Sequence, residues 1–329
     1  MKAVLLTAPQ RVKVVGDWPE PALGPHDVLV AMRAVGLCGS DLGVYDGERV
    51  TPGLPWVMGH EGGGEIVAVG SAVTDRRLGQ RVVVEPNYCC LDCPACRSGR
   101  TSACPRRGIV GVNRPGLLAE RVAVPARFTW PVPRSWSDAR LACLEPLSVA
   151  RAAVRRAPVR HGDACLVVGA GSQGLFVCQS LLAMGAHPFV VEPHPGRLAL
   201  AEHLGAKPAD LEAGRFPVVF ETSGAPAAWE TALRAVATTG TVVLIGMGAE
   251  PVRLSTFEVV RRQLTLTGAL IYDHPHDFGA TLAAVADGDI VPERVVHDGF
   301  PPEEAATAFA QARTVPGKAW LDLAGWGGQ

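Results

Sequence analysis

Hydrophobic and polar positions follow two different rhythms along the chain. Over residues 27–35, Asp-Val-Leu-Val-Ala-Met-Arg-Ala-Val, apolar and polar side chains come in the short alternation of a half-buried strand, and Pro19, Pro21 and Pro25 interrupt the segment before it. Residues 65–70 and 79–84 repeat the short apolar run between glycines. The first 130 residues are therefore expected to form a mostly antiparallel β domain. Residues 139–157 then carry helical periodicity, and from Cys165 the rhythm changes. Apolar runs at 165–168, 188–191, 218–221, 240–246 and 264–268 alternate with stretches of helical character that start near Leu175 and cover 227–237 and 278–287. Strands alternating with helices predict βαβ units and a parallel sheet. A helix is expected at 303–312 and a last strand at 317–323.

Composition narrows the function classes. With 329 residues, 48% of them hydrophobic, the chain has the length for two domains and a large core. A net charge of −1 gives no cationic footprint for nucleic acid or an anionic membrane, and neither is expected as a partner. Arginine outnumbers lysine 27 to 4, which reads as a GC-rich coding sequence rather than a binding face. Residues 164–191 contain no Asp, Glu, Lys or Arg, a length sufficient for a membrane helix, but Gly169, Gly171 and Gly174 divide them into strand and helix. The amino terminus lacks the apolar run of a secretory signal, so a cytoplasmic location is expected, with the nine cysteines as thiols or metal ligands.

Two clusters carry metal chemistry. Gly36-Leu37-Cys38-Gly39-Ser40-Asp41 and Gly59-His60-Glu61-Gly62-Gly63-Gly64-Glu65 offer a thiolate, an imidazole, carboxylates and a hydroxyl, in a setting that reads as too glycine-rich for an ordinary helix or core strand. Cys38 and His60 suit Zn²⁺, and a catalytic zinc takes three protein ligands and keeps a fourth position open. The third ligand is either Glu61 or Glu145. Ser40 is placed to take the proton of a substrate alcohol, and Asp41 to accept a hydrogen bond from the far nitrogen of His60. The second cluster, Cys90-x2-Cys93-x2-Cys96-x7-Cys104, has the turn-compatible spacing of a closed tetrahedral site of structural type. Cys89 could replace Cys90, but Cys90 keeps the even spacing. Cys143, Cys165 and Cys178 lie in apolar surroundings and read as core residues.

A third motif is Gly169-Ala170-Gly171-Ser172-Gln173-Gly174, behind the run 165–168 and ahead of a helix. In that context Gly169 permits a tight turn, Gly171 lets backbone approach a pyrophosphate, and Gly174 lets helix pack on strand, with the helix amino terminus facing the phosphates. Glu192, about twenty residues on, suits the ribose hydroxyls of NAD and disfavours NADP. Arg197 stands nearby and could meet a 2′-phosphate.

Together, Gly-x-Cys-Gly-Ser-Asp, Gly-His-Glu with Gly64 and Gly70 following, the four-cysteine spacing and the glycine loop resemble the zinc-dependent medium-chain dehydrogenases, the family of alcohol and sorbitol dehydrogenases. The resemblance covers nearly the whole chain. It implies a GroES-like zinc catalytic domain over 1–147 with a metal lobe at 89–104, a Rossmann cofactor domain over 148–284, and a return to the catalytic domain over 285–329. It implies two zinc ions, NAD in preference to NADP, hydride transfer from a secondary alcohol, and a homodimer or homotetramer, for which 242–245 is a candidate edge strand. Glu145 within Glu-Pro-Leu-Ser resembles the sorbitol, glucose and aminocyclitol dehydrogenase branch, implying a small hydroxylated substrate such as a polyol, sugar or (amino)cyclitol. Many relatives end their proton relay on a histidine where this chain has Gly43; water in the cleft, with Glu61 or Glu145 as a carboxylate way station, is the expected substitute. Alternatives are a threonine-type amino-alcohol dehydrogenase, a zinc-free reductase and a non-catalytic NAD-binding relative. Asn87, Asn113, Arg114, Tyr272, Asp273 and His274 read as loop surface.

Overall fold

The computed structural model describes the whole chain except Ala213, Asp298 and residues 327–329, so the end of the expected return segment lies outside the described residues. The chain divides into two compact units, Met1–Glu145 with Val296–Gln329, and Pro146–Val295.

The first unit is built on antiparallel sheets. Thr129–Pro131, Arg81–Val84, Glu61–Val69, Asp27–Gly36 and Trp320–Asp322 lie side by side in that order, and Arg121–Pro125 also pairs with Asp27–Gly36. A three-stranded sheet of Arg11–Val15, Ala3–Ala8 and Trp56–Val57 accompanies them. Alternation along Asp27–Gly36 sends Val28, Val30, Met32 and Ala34 into the core. The glycine-rich stretch departs from the sequence reading, because it is regular structure. Gly39–Tyr45 is a helix and Glu61–Val69 a nine-residue strand. Side chains at Gly62, Gly63 and Gly64 would strike the carbonyls of Ala34, Val82 and Ala31, so these glycines let three strand backbones close on one another.

The second unit is a six-stranded parallel sheet in the order Lys207–Pro208, His187–Val191, Ala164–Val168, Phe216–Glu221, Val236–Leu244, Thr265–Gly268. That is the 3-2-1-4-5-6 order of the dinucleotide-binding fold. Helices Ser172–Ala183, Pro195–His203 and Pro226–Ala235 connect its strands. Val236–Leu244 has a neighbour on each side and cannot be an edge, contrary to the expectation for 242–245; the edge on that side is Thr265–Gly268. The two-residue strand Lys207–Pro208 and the helix Thr256–Arg262 were not foreseen, the first because it has no apolar run, the second because none of its side chains is buried. The charge-free run 164–191 is strand, helix and strand. Among the described residues no helix is long and apolar enough to cross a membrane.

The expected helix at 139–157 is two helices, Asp138–Leu141 and Leu144–Arg155. The chain re-enters the first unit at Val296 rather than 285, because Gln179 Nε2 donates to the Val291 carbonyl at 3.0 Å and ties the intervening segment to the second unit. Tyr272 and Asn87 are buried rather than loop surface.

Candidate metal and cofactor sites

Cys38 closes the strand Asp27–Gly36 and caps the helix Gly39–Tyr45, so its side chain is aimed by the junction. His60 directly precedes the neighbouring strand, and the pairing Gly36↔Glu61 brings the two segments into register. Ligand atoms of Cys38, His60 and Glu61 consequently lie within 4.8 Å of one another. Glu145 is buried in the first turn of Leu144–Arg155 and is not part of that trio.

Asp41 is 2% exposed and orders the cluster. Its carboxylate accepts from the Cys38 and Gly59 amides, at 3.1 Å each, and stands 3.3 Å from His60 Nδ1, an ion-pair approach rather than an aligned hydrogen bond. Burial raises the Asp41 pKa, but the charge of His60 and these hydrogen bonds outweigh it and hold the group below the ordinary carboxylate value. For His60, burial opposes protonation, yet Asp41 and Cys38 hold its pKa well above the ordinary imidazole value. With Nδ1 toward Asp41, Nε2 is the nitrogen left for a metal, and Ser40 Oγ lies 3.4 Å from it. At Gly43 the Arg49 side chain comes within 3.3 Å of the position a Cβ would take.

Cys90, Cys93, Cys96 and Cys104 form the second cluster, and Cys89 is outside it. Four sulfurs bound tetrahedrally to one zinc are about 3.8 Å apart. Cys90 and Cys96 sulfurs are 3.9 Å apart and those of Cys90 and Cys104 3.5 Å, which fits such an ion. Amides of Cys90 and Cys96 point at the sulfurs of Cys104 and Cys93, and Arg106 Nη2 lies 3.3 Å from Cys90 Sγ. Burial raises the Cys104 pKa, but the Cys90 and Arg106 amides and neighbouring thiols bring it below the ordinary thiol value. Cys143, Cys165 and Cys178 are fully buried.

In the second unit Gly169 adopts φ +95°, a left-handed conformation that favours glycine, and leads into the helix Ser172–Ala183. The first amides of that helix, from Ser172, Gln173 and Gly174, have no intrahelical acceptor and suit an anion. Gln173 Nε2 donates to the Pro146 carbonyl at 3.2 Å. Glu192 accepts from the Ala170 amide at 2.6 Å and the His194 amide at 2.9 Å, so it fixes the glycine loop. Arg197 is half-buried in the first turn of Pro195–His203. Sequence reasoning missed Thr222, whose hydroxyl donates to the Val168 and Gly169 carbonyls at 3.1 and 3.0 Å, and Lys318, which forms a buried ion pair with Glu61. Neither stood in a motif; the one available signal was a lysine inside the apolar run 317–323.

Comparison with known proteins agrees with both halves of this arrangement. The profile of the alcohol dehydrogenase GroES-like domain matches residues 24–134, and that of the zinc-binding dehydrogenase domain matches residues 174–287. The chain is 31% identical to L-galactonate-5-dehydrogenase of Escherichia coli K12 over 85% of its own length and 86% of that protein's. The chain belongs to the zinc-dependent medium-chain dehydrogenases. Within the family it is 29% identical to sorbitol dehydrogenase of Bacillus subtilis, covering 95% of this chain and 93% of that one. The crystal structure of a zinc-binding dehydrogenase from Sinorhizobium meliloti bound to NADP superposes with a TM-score of 0.88 at 29% identity, covering 98% of each chain. This medium-chain dehydrogenase is an oxidoreductase acting on alcohols with zinc and a nicotinamide cofactor.

Proposed function

We propose that the chain oxidises a secondary alcohol of a polyol, sugar or (amino)cyclitol with NAD, holding one catalytic and one structural zinc. The observation that carries this reading is the convergence of one thiolate, one imidazole and one carboxylate within 4.8 Å beside a serine hydroxyl, in a chain that also has the glycine loop. A zinc held here would supply Lewis-acid chemistry for an alcohol oxygen, and a nicotinamide held by the glycine loop would supply a hydride acceptor. Cys38, His60 Nε2 and Glu61 hold the metal, leaving one position for substrate. Asp41 keeps the proton on His60 Nδ1 and so fixes the tautomer that presents Nε2. Ser40 takes the alcohol proton. Glu145, buried and outside the trio, serves as an acceptor for a second substrate hydroxyl, which favours substrates with more than one.

Ser172, Gln173 and Gly174 hold the pyrophosphate, and Glu192 favours NAD. A carboxylate can accept more than the two amide hydrogen bonds seen, so Glu192 can also bind a ribose hydroxyl, while its charge repels a 2′-phosphate. The relative that binds NADP makes the choice of nucleotide a decisive experiment: kcat/KM is measured with NAD and with NADP for wild type and Glu192→Ala. A shift toward NADP in the variant supports the assignment, and an unchanged ratio refutes it. Cys90, Cys93, Cys96 and Cys104 hold the structural zinc. Self-association as a dimer or tetramer is part of the proposal, supported by the exposed side chains of Phe257 and Val260 near the edge strand Thr265–Gly268. Light scattering of the purified protein tests it.

A further inference from the structure

Resting on Glu61 as a metal ligand, we propose that Lys318 is a positioning residue that withholds one oxygen of Glu61 from the metal and so keeps the fourth coordination position open to substrate. The Lys318 and Glu61 side chains are each 1% exposed and form an ion pair through Glu61 Oε2. Lys318 Nζ also donates to the Leu37 carbonyl at 2.9 Å, one residue before Cys38. The amine therefore bridges the backbone beside one ligand and the carboxylate of another.

The fold is arranged around this bridge. Trp320 pairs with Gly36 on one side and Glu61 pairs with Gly36 on the other, so Gly36 lies between the two charged residues. A Cβ on Gly36 would lie 2.6 Å from Glu61 Oε2, 2.8 Å from Lys318 Cε and 2.9 Å from the Ala142 carbonyl. Only a glycine leaves room for both side chains. Burying an ammonium costs several kcal/mol even when paired, and an apolar side chain of similar volume commonly stabilises a fold as well or better. Stability alone therefore does not account for a charge here. Coordination does. A carboxylate with both oxygens free can bind zinc through both and fill the position that substrate needs, whereas one with an oxygen held by an ammonium binds through the other alone.

The test uses protein with cobalt(II) in the Cys38 site and zinc retained in the four-cysteine lobe. Cobalt with four ligands absorbs strongly in the visible, and a fifth ligand weakens the bands. In Lys318→Met the bands weaken and chelator competition shows metal held about tenfold more tightly, equivalent to about 1.4 kcal/mol. Lys318→Arg restores the wild-type spectrum, as does Lys318→Met combined with Glu61→Gln, which removes the second anionic oxygen and also serves if Lys318→Met alone does not fold. Wild-type bands and affinity in folded Lys318→Met, or weakened bands that persist in the double variant, overturn the proposal. Failure of the underlying ligand assignment shows differently: Glu61→Ala alone would then leave the wild-type cobalt bands and metal affinity unchanged.

Discussion

Two glycines of the cofactor loop make opposite predictions when each is replaced by alanine. At Gly174 a Cβ would run into the Gly169 carbonyl and come within 3.0 Å of Thr222 Oγ1, so backbone must shift. Overpacking of this kind costs about 1–3 kcal/mol, while alanine returns about 0.5–1 kcal/mol of helix propensity, leaving a net loss of roughly 1–2 kcal/mol. At Gly171 no atom lies within 4 Å of a Cβ, and φ −64°, ψ 177° is open to any residue. Gly171→Ala is therefore expected to change stability by less than about 1 kcal/mol, the scale of an N-cap change. Its methyl, however, would occupy the space a pyrophosphate needs. NADH binding followed by fluorescence should weaken at least about tenfold, or 1.4 kcal/mol, with the denaturant midpoint nearly unmoved. In Gly174→Ala the midpoint should fall as well. Unaltered NADH affinity in Gly171→Ala would refute the idea that the loop cradles the dinucleotide by backbone approach. A midpoint loss in Gly171→Ala as large as in Gly174→Ala would refute the packing argument.

Other expectations follow from particular groups. Burial pushes the Cys165 and Cys178 thiols up to about 12. A raised thiol pKa leaves stability intact below the unfolded value, and that stability is lost as pH rises toward 12. Urea midpoints should fall over this window, and Cys178→Ala should lessen the slope by about 1.4 kcal/mol per pH unit; an identical slope contradicts the assignment. Asp138 receives Arg33 Nε at 3.0 Å and Nη2 at 3.1 Å, and also pairs with Arg81. Asp138→Ala strands these partly buried guanidiniums and should cost about 1–3 kcal/mol by denaturant titration. Cys93→Ser should release one zinc per chain by metal analysis and expose the lobe to proteolysis, leaving the metal at Cys38 in place.

The parallel sheet was legible because each of its long strands is an apolar run bounded by turn residues, and the cysteines were legible because their even spacing, together with the family resemblance, favours the four that gather over Cys89. What escaped depended on contacts distant in sequence. Gly62–Gly64 read as too glycine-rich for a core strand because strand formation there is decided by the carbonyls of Ala31, Ala34 and Val82. Lys318 lies 257 residues from Glu61, and its place inside the apolar run 317–323 hints at burial without naming the partner. Val236–Leu244 showed its apolar character but not which strands flank it, since order in a parallel sheet is set by crossovers.

The central claim is tested most directly by NADH formation at 340 nm on protein of measured zinc content, with polyols, aldoses, cyclitols, threonine and simple alcohols as substrates. The account predicts about two zincs per chain, NADH formed with a cyclic or linear polyol, and both turnover and one zinc lost in Cys38→Ala. Full turnover in Cys38→Ala, or none with any alcohol from protein holding both zincs, would contradict it.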